Sequence, residues 1–254
     1  MNHYWVFLKK ELLEYIRTYK LLILLTVFVI FGITNPLIAK LTPELLTSFV
    51  PEGMSITIPE PTALDSWAQF FKNTQQMGMI VLVLVFSGVL SGELSRGTLI
   101  NLLTKGLARE AVILGKYSAM LLVWSVSILL SSLLTFVYTI YLFPGDQVQN
   151  LVFAVFCLWL FGAFLLAILL ASATLVNGSY GSLLLTGLMI VLLLLLNMIT
   201  GAQKYNPLSL VTRSMELATN TVGPSALYLA TGVTSLAILG LLTLAVLVFR
   251  KKRL

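Results

Sequence analysis

The sequence predicts an all-α, polytopic membrane protein with six transmembrane helices, and three observations predict it. Of 254 residues 58% are apolar and 10% charged, against about 25% charged in a soluble domain, so polar surface is too scarce to coat a water-facing globule. Six stretches are long, apolar and free of Asp, Glu, Lys and Arg: residues 21–39, 76–92, 117–142, 151–174, 183–200 and 226–249. Each approaches or exceeds the roughly 20 residues that span about 30 Å of hydrocarbon. The basic residues gather at the ends of these stretches, and on one side.

Residues 1–20 form the first element. Trp5, Leu8, Leu12, Ile16 and Tyr19 recur at spacings of three and four, with Lys9, Lys10, Glu14 and Arg17 largely off that face. This is the pattern of an amphipathic helix lying in the cytoplasmic interface. It is not that of a signal peptide, which places its apolar core directly after a short basic start and ends at a small-residue cleavage site.

The membrane domain covers residues 21–249, followed by a basic tail, 250–254. Its longest outside loop, 40–75, carries Pro43, Pro51, Pro59 and Pro61. Proline removes a backbone donor, so the first half of this loop is not expected to be a continuous helix. The stretch Ala63 to Gln76 is expected to lead helically into the second span. Spans four and five form one apolar block divided by Asn177, Gly178, Ser179, Tyr180, Gly181 and Ser182, a turn-forming cluster that makes a helical hairpin. In the outside segment 201–225, Pro207 and Pro224 act as breakers, and Leu208 to Asn220 can form a short interfacial helix.

Orientation follows from the basic residues of the short connections. Lys9, Lys10, Arg17, Lys20, Arg96, Lys105, Arg109, Lys116, Arg250, Lys251, Lys252 and Arg253 share one side if there are six spans, while Lys40, Lys72, Lys204 and Arg213 lie on the other. Both termini are therefore expected in the cytoplasm. The net charge of +6 is absorbed by this asymmetry, so membrane lipid and not nucleic acid is the expected partner.

Enzymatic chemistry finds little support. Ionisable groups within a membrane are costly and usually functional, and the predicted spans hold none. The one histidine, His3, is N-terminal, and the one cysteine, Cys157, lies inside an apolar run. Neither a metal centre nor an intramolecular disulfide is expected. A phosphate-binding loop requires Gly-x-x-x-x-Gly-Lys-Ser/Thr. The nearest approach, Gly115-Lys116, continues with Tyr117 and has Glu110 in place of the first glycine. The chain is thus expected to hold no cofactor. Small residues four apart, at Gly88 and Gly92, at Ser127, Ser131 and Thr135, and at Ala163, Ala167 and Ala171, mark close helix packing.

The distinctive stretch is the cytoplasmic connection 93–116. Thr98, Leu99, Leu102 and Leu103 predict a short helix ending at Gly106, and a second helical turn from Arg109 leads into span three. A Glu at the end of span two, then Arg-Gly-Thr, a Leu-Leu-Thr run, and Arg followed by Gly-Lys entering span three resembles the permeases of type-2 ABC transporters. The opening Lys-Lys-Glu-Leu-Leu-Glu-Tyr-Ile-Arg is similar to that family's start. The resemblance extends over the chain in length and layout. It implies that residues 1–20 are the family's elbow helix and that Glu93 to Thr104 form its coupling helix, seated on an ATPase subunit. Glu93, Arg96, Gly97, Thr98, Lys105 and Arg109 become the contact or positioning residues. It further implies two ATPase subunits that bind ATP, a second permease chain, identical or homologous, and a bacterial inner-membrane location. A re-entrant segment at about 206–220 is also a family habit, made less comfortable here by Arg213 and Glu216. The function implied is export of an amphipathic, peptide, drug-like or lipid-like cargo. A membrane scaffold or immunity protein, or a gradient-driven carrier, are the alternatives that operate without an ATPase.

Overall fold

The computed structural model describes all residues except 1–2, 49–58, 96, 98, 100–102, 105, 147, 177 and 253–254. Most of the described residues are helical, and six helices are long and apolar enough to cross a membrane: Lys20–Leu45, Ala63–Leu94, Arg109–Leu142, Leu151–Leu175, Ser179–Asn197 and Pro224–Lys251. In lipid the backbone must satisfy its own hydrogen bonds, which a helix does.

Helix α1 (His3–Arg17) precedes the spans. It packs on protein through Phe7, Leu8, Glu11 and Tyr15, all buried, and leaves Trp5, Leu13 and Ile16 exposed. The apolar stripe read from the sequence is therefore split: Leu8 faces the protein, while Trp5, Ile16 and Tyr19 face outward. Tyr19, at φ 60°, breaks the chain between α1 and the first span.

Helix α2 (Lys20–Ser48) continues through Pro36 and Pro43. The loop expected from residue 40 thus begins as helix as far as Ser48, and the rest of its first half, 49–58, lies outside the described residues. The reason is visible at Pro36. Its missing N–H would have bonded the Gly32 carbonyl, and the Thr135 hydroxyl of a neighbouring span donates to that carbonyl instead, at 3.3 Å. A proline is tolerated in a membrane helix when a neighbour satisfies the freed group.

Span two is longer than its apolar core. Helix α3 (Ala63–Asn73) starts at a capping box formed by Thr62 and Asp65. It passes through a π-turn, Thr74–Gly78, into α4 (Met79–Phe86), and α5 (Ser91–Ser95) closes its C-terminal end. Helix α6 (Arg109–Leu142) has 34 residues, about 50 Å at 1.5 Å per residue, so its first turns extend beyond the hydrocarbon. Helix α7 (Leu151–Leu175) is buried along nearly its whole length and is the centre of the bundle. Trp124 Nε1 donates to the Trp159 carbonyl at 2.9 Å and Tyr117 to the Ala163 carbonyl at 3.2 Å, joining α6 to α7. Gly162 makes this approach possible, since a Cβ there would lie 2.4 Å from the Trp124 indole.

The hairpin to α8 (Ser179–Asn197) turns at Gly178, with φ 92°. Asn177 lies outside the described residues, and Ser179 to Ser182 form the first turn of α8. Of α8 only Ser182 and Thr186 are buried, so this span lies at the periphery. The following segment forms two short helices, α9 (Ser209–Thr212) and α10 (Ser214–Ala218), broken at Arg213. They bury Leu210, Val211 and Leu217. Asn206 holds the segment by donating to the Leu193 carbonyl at 2.8 Å. Helix α11 (Tyr228–Lys251) is the sixth span.

Candidate functional site

Helix α1, the C-terminal end of span two at α5 and the first turns of α6 converge on a cluster of charged groups. Lys116 Nζ, with no exposed side-chain surface, lies 3.0 Å from both Glu11 carboxylate oxygens and 2.7 Å from Glu93 Oε2. Lys10 pairs with Glu14 at 2.7 Å, Glu11 at 3.0 Å and Glu93. Phe7 lies beneath both ammonium groups, 5.4 Å from Lys10 Nζ and 5.7 Å from Lys116 Nζ. Gly115 admits that ring, because a Cβ there would meet it at 2.6 Å. Tyr4 donates to Ser118 Oγ at 2.8 Å, a second tie between α1 and α6.

The electrostatics are those of a closed network. Three carboxylates face Lys10 and Lys116, with Lys20 nearby, its Nζ 5.4 Å from the Tyr15 ring. The carboxylates of Glu11, Glu14 and Glu93 approach closely enough to hold a metal ion, but ammonium groups already stand among them. Burial lowers the affinity of Lys10 for its proton, and Glu14, Glu93 and Glu11 together outweigh it, raising its pKa above the ordinary lysine value. Tyr15 is also held well above the ordinary tyrosine value, by burial and then by the same carboxylates. Burying charge is expensive unless it is paired and hydrogen-bonded, a condition this cluster meets for each group it encloses.

The connection 93–116 runs outward from the cluster. Gly97, at φ 68°, ends α5 with its N–H bonded to the Leu94 carbonyl at 3.2 Å. Leu99 is fully buried in the core. Gly106, at φ 90°, ends the short helical stretch at Leu103 and Thr104. Positive φ favours glycine at both helix ends. Arg109 points back into the chain. Its Nη1 donates to the carbonyls of Phe249, Arg250 and Lys252 at 2.9, 2.8 and 2.7 Å, capping the C-terminal end of α11. Arg250 pairs with Glu110, and Lys252 Nζ donates to the Thr174 carbonyl at 3.3 Å.

Of the sequence-derived site residues, Glu93 is buried in the network, Arg109 is engaged with α11, and Gly97 occupies the turn between them. Arg96, Thr98 and Lys105 lie outside the described residues. A local pair of Glu93 with Arg96 is therefore not described, and the partners the structure gives Glu93 are Lys10 and Lys116. Four charged members of the cluster escaped sequence reading as site residues, Lys10, Glu11, Glu14 and Lys116. A signal for Glu11 exists: it lies four residues from both Phe7 and Tyr15, a charge on the face that α1 buries.

The α7–α8 hairpin reaches the same end of span two. Ser91 and Ser179 hydroxyls are 2.8 Å apart, and Ser182 donates to the Ser87 carbonyl at 3.2 Å. A cleft of about 410 Å³ lies between them, lined in part by Gly92, Leu94 and Tyr180.

The arrangement joins an N-terminal amphipathic helix, the end of span two and the start of span three beside a glycine-bounded connection. A family model described as ABC-2 family transporter protein matches residues 5–254. No curated protein matches the chain. With nearly the whole length covered by that match and six helices long and apolar enough to span, the chain belongs to the ABC-2 family, as an integral-membrane permease of the ABC transporter type.

Proposed function

We propose that this permease is the membrane half of an ABC exporter whose ATP is bound and hydrolysed by two separate ATPase subunits, and that residues 93–116 form the coupling segment those subunits engage. The carrying observation is the buried network of Lys10, Glu11, Glu93 and Lys116. It locks the elbow helix, the end of span two and the start of span three together where the connection begins. A displacement of the connection would then reach three membrane elements at once. Closure of the ATPase subunits would move the connection, tilt spans one, two and five against a second permease chain, identical or homologous, and open a path for cargo. Glu93 and Arg109 act here as positioning residues, and Arg96, Thr98 and Lys105 as the contacts. The peripheral α8 leaves Leu184, Leu188, Val191 and Leu195 exposed for that second chain. Neutral spans favour an amphipathic cargo, whether peptide, drug-like or lipid-like. The complex resides in the bacterial plasma membrane with both termini cytoplasmic.

Affinity purification of the tagged protein in mild detergent tests the reading. An ATPase subunit in amounts comparable to the permease is expected, with its transport-linked ATP hydrolysis reduced by Glu93→Ala combined with Arg96→Ala. A stable permease that brings no ATPase with it would overturn the exporter assignment. Unchanged assembly and coupling in the double variant would overturn the role of the segment alone.

A further inference from the structure

A second polar region lies deep in the membrane domain, between α2, span two and α6, and plays no part in the cytoplasmic network. Asn73 Nδ2 donates to Asn35 Oδ1 at 2.6 Å, and the Ser66 and Thr139 hydroxyls are 2.6 Å apart. Within the same seam, Asn35 Nδ2, Thr74 Oγ1 and Ser131 Oγ are buried and have no hydrogen-bond partner. Other buried hydroxyls of the spans avoid this state by donating to their own helix. Ser127 reaches the Val123 carbonyl at 2.8 Å, Thr174 the Ala171 carbonyl at 2.7 Å and Thr234 the Ala230 carbonyl at 2.6 Å. Thr74 and Ser131 do not, although both are helical.

The three groups lie on adjoining elements. Asn35 meets Asn73, the chain neighbour of Thr74. One turn away on α2, about 5 Å along the axis, Gly32 lies against α6 so closely that a Cβ there would be 2.9 Å from the Ser131 carbonyl. The Gly32 carbonyl is the one freed by Pro36. It accepts the long bond from Thr135, and a carbonyl has two lone pairs. Thr74 opens the π-turn, where the Met79 N–H reaches back five residues to the Thr74 carbonyl. Such turns interrupt the regular ladder and are frequent at functional positions.

We propose that this seam is a binding site for internal water, held by Asn35, Thr74 and Ser131 with the Gly32 carbonyl. A buried water is characteristically held by two to four polar groups that would otherwise be unsatisfied, and the seam offers one amide donor, two hydroxyls that can donate or accept, and a free lone pair. Leaving them unpaired in a low-dielectric interior would be costly. The water would bridge α2 to the π-turn and to α6 where direct side-chain contact fails, and the π-turn is the element it would stabilise.

Hydroxyl radicals generated by X-ray radiolysis label side chains beside bound water, and the full chain in lipid nanodiscs is the sample. Phe28 and Trp124 are fully buried, with their rings 5.4 Å apart, and a Cβ on Gly78 of the π-turn would lie 3.0 Å from Phe28. The expected result is labelling of Phe28 and Trp124 above that of Phe164, which is buried in α7, and loss of the excess in the combined variant Asn35→Leu, Thr74→Val, Ser131→Ala. Labelling no greater than at Phe164, or an excess that survives the variant, would overturn the site. Should the variant fail to fold, a high-resolution map of the unaltered protein decides. Ordered density within hydrogen-bond reach of Asn35 Nδ2 supports the proposal. An empty seam with the Thr74 and Ser131 hydroxyls turned onto their own helix carbonyls overturns it.

Discussion

Lys116 illustrates what burial does to a single charge. Its ammonium group is enclosed by two carboxylates, and removing one partner of a buried pair costs about 3–5 kcal/mol because the other charge stays behind. Lys116→Met should lower stability by about that amount in detergent melts, and Lys10→Met by less, since its side chain is 37% exposed. Lys10 gives the cluster its pH dependence. Its folded pKa lies above the unfolded value, so its contribution is complete below the unfolded pKa and is lost only as pH rises through the folded one. Stability should therefore vary little through Lys10 between roughly pH 5 and 8 and fall in strong alkali, and equal melting temperatures in neutral and strongly alkaline solution would overturn this role. Gly162 makes the complementary point for packing. Gly162→Val should cost about 1–3 kcal/mol by forcing the Trp124 indole aside, read as a lower melting temperature with altered tryptophan fluorescence. Gly187→Ala, where a Cβ meets nothing within 4 Å, should not.

At the scale of elements, two interactions between neighbouring helices determine where those helices can go. The bend-prone α2 is supported at Pro36 by Thr135. Thr135→Val should therefore destabilise the bundle by about 1 kcal/mol, and much less in a Pro36→Ala background, where the backbone N–H returns to the Gly32 carbonyl. A double-mutant cycle with no coupling would remove this explanation for the tolerated proline. Arg109 has a comparable role at the far end of the bundle. Its bonds to three carbonyls tie the last turn of α11 to the first turn of α6. Arg109→Leu should raise amide hydrogen exchange at residues 246–252 and leave α7 unchanged. Unaltered exchange would mean that the Glu110–Arg250 pair suffices.

For the whole molecule the prediction concerns sidedness. The one native cysteine, Cys157, is buried, so a Cys157→Ser background allows single probes. Lys251→Cys should resist a membrane-impermeant maleimide in intact cells and react after permeabilisation, whereas Gly145→Cys should react in intact cells. The reverse pattern would invert the topology and place the charged hub outside, away from any ATPase.

How much of this was legible beforehand differs by feature. The six spans, the peripheral placement of charge and the family were readable in the chain, because spanning length and the exclusion of charge from lipid are properties of contiguous residues. Three things needed the fold. The helix through Pro36 and Pro43 contradicts a local rule, and at Pro36 it is Thr135, 99 positions further along, that supplies the missing bond. Arg109 and Glu93 are expected from the resemblance as contact or positioning residues, and they turn inward because their partners lie on α11, α1 and α6. Glu11 and Lys116 became site residues only when α1 was laid across the start of α6. Composition and periodicity determine which segments enter the membrane, since each segment meets lipid by itself. Which charges pair and which hydroxyls go unpaired depends on groups distant in sequence, so only the tertiary structure decides them.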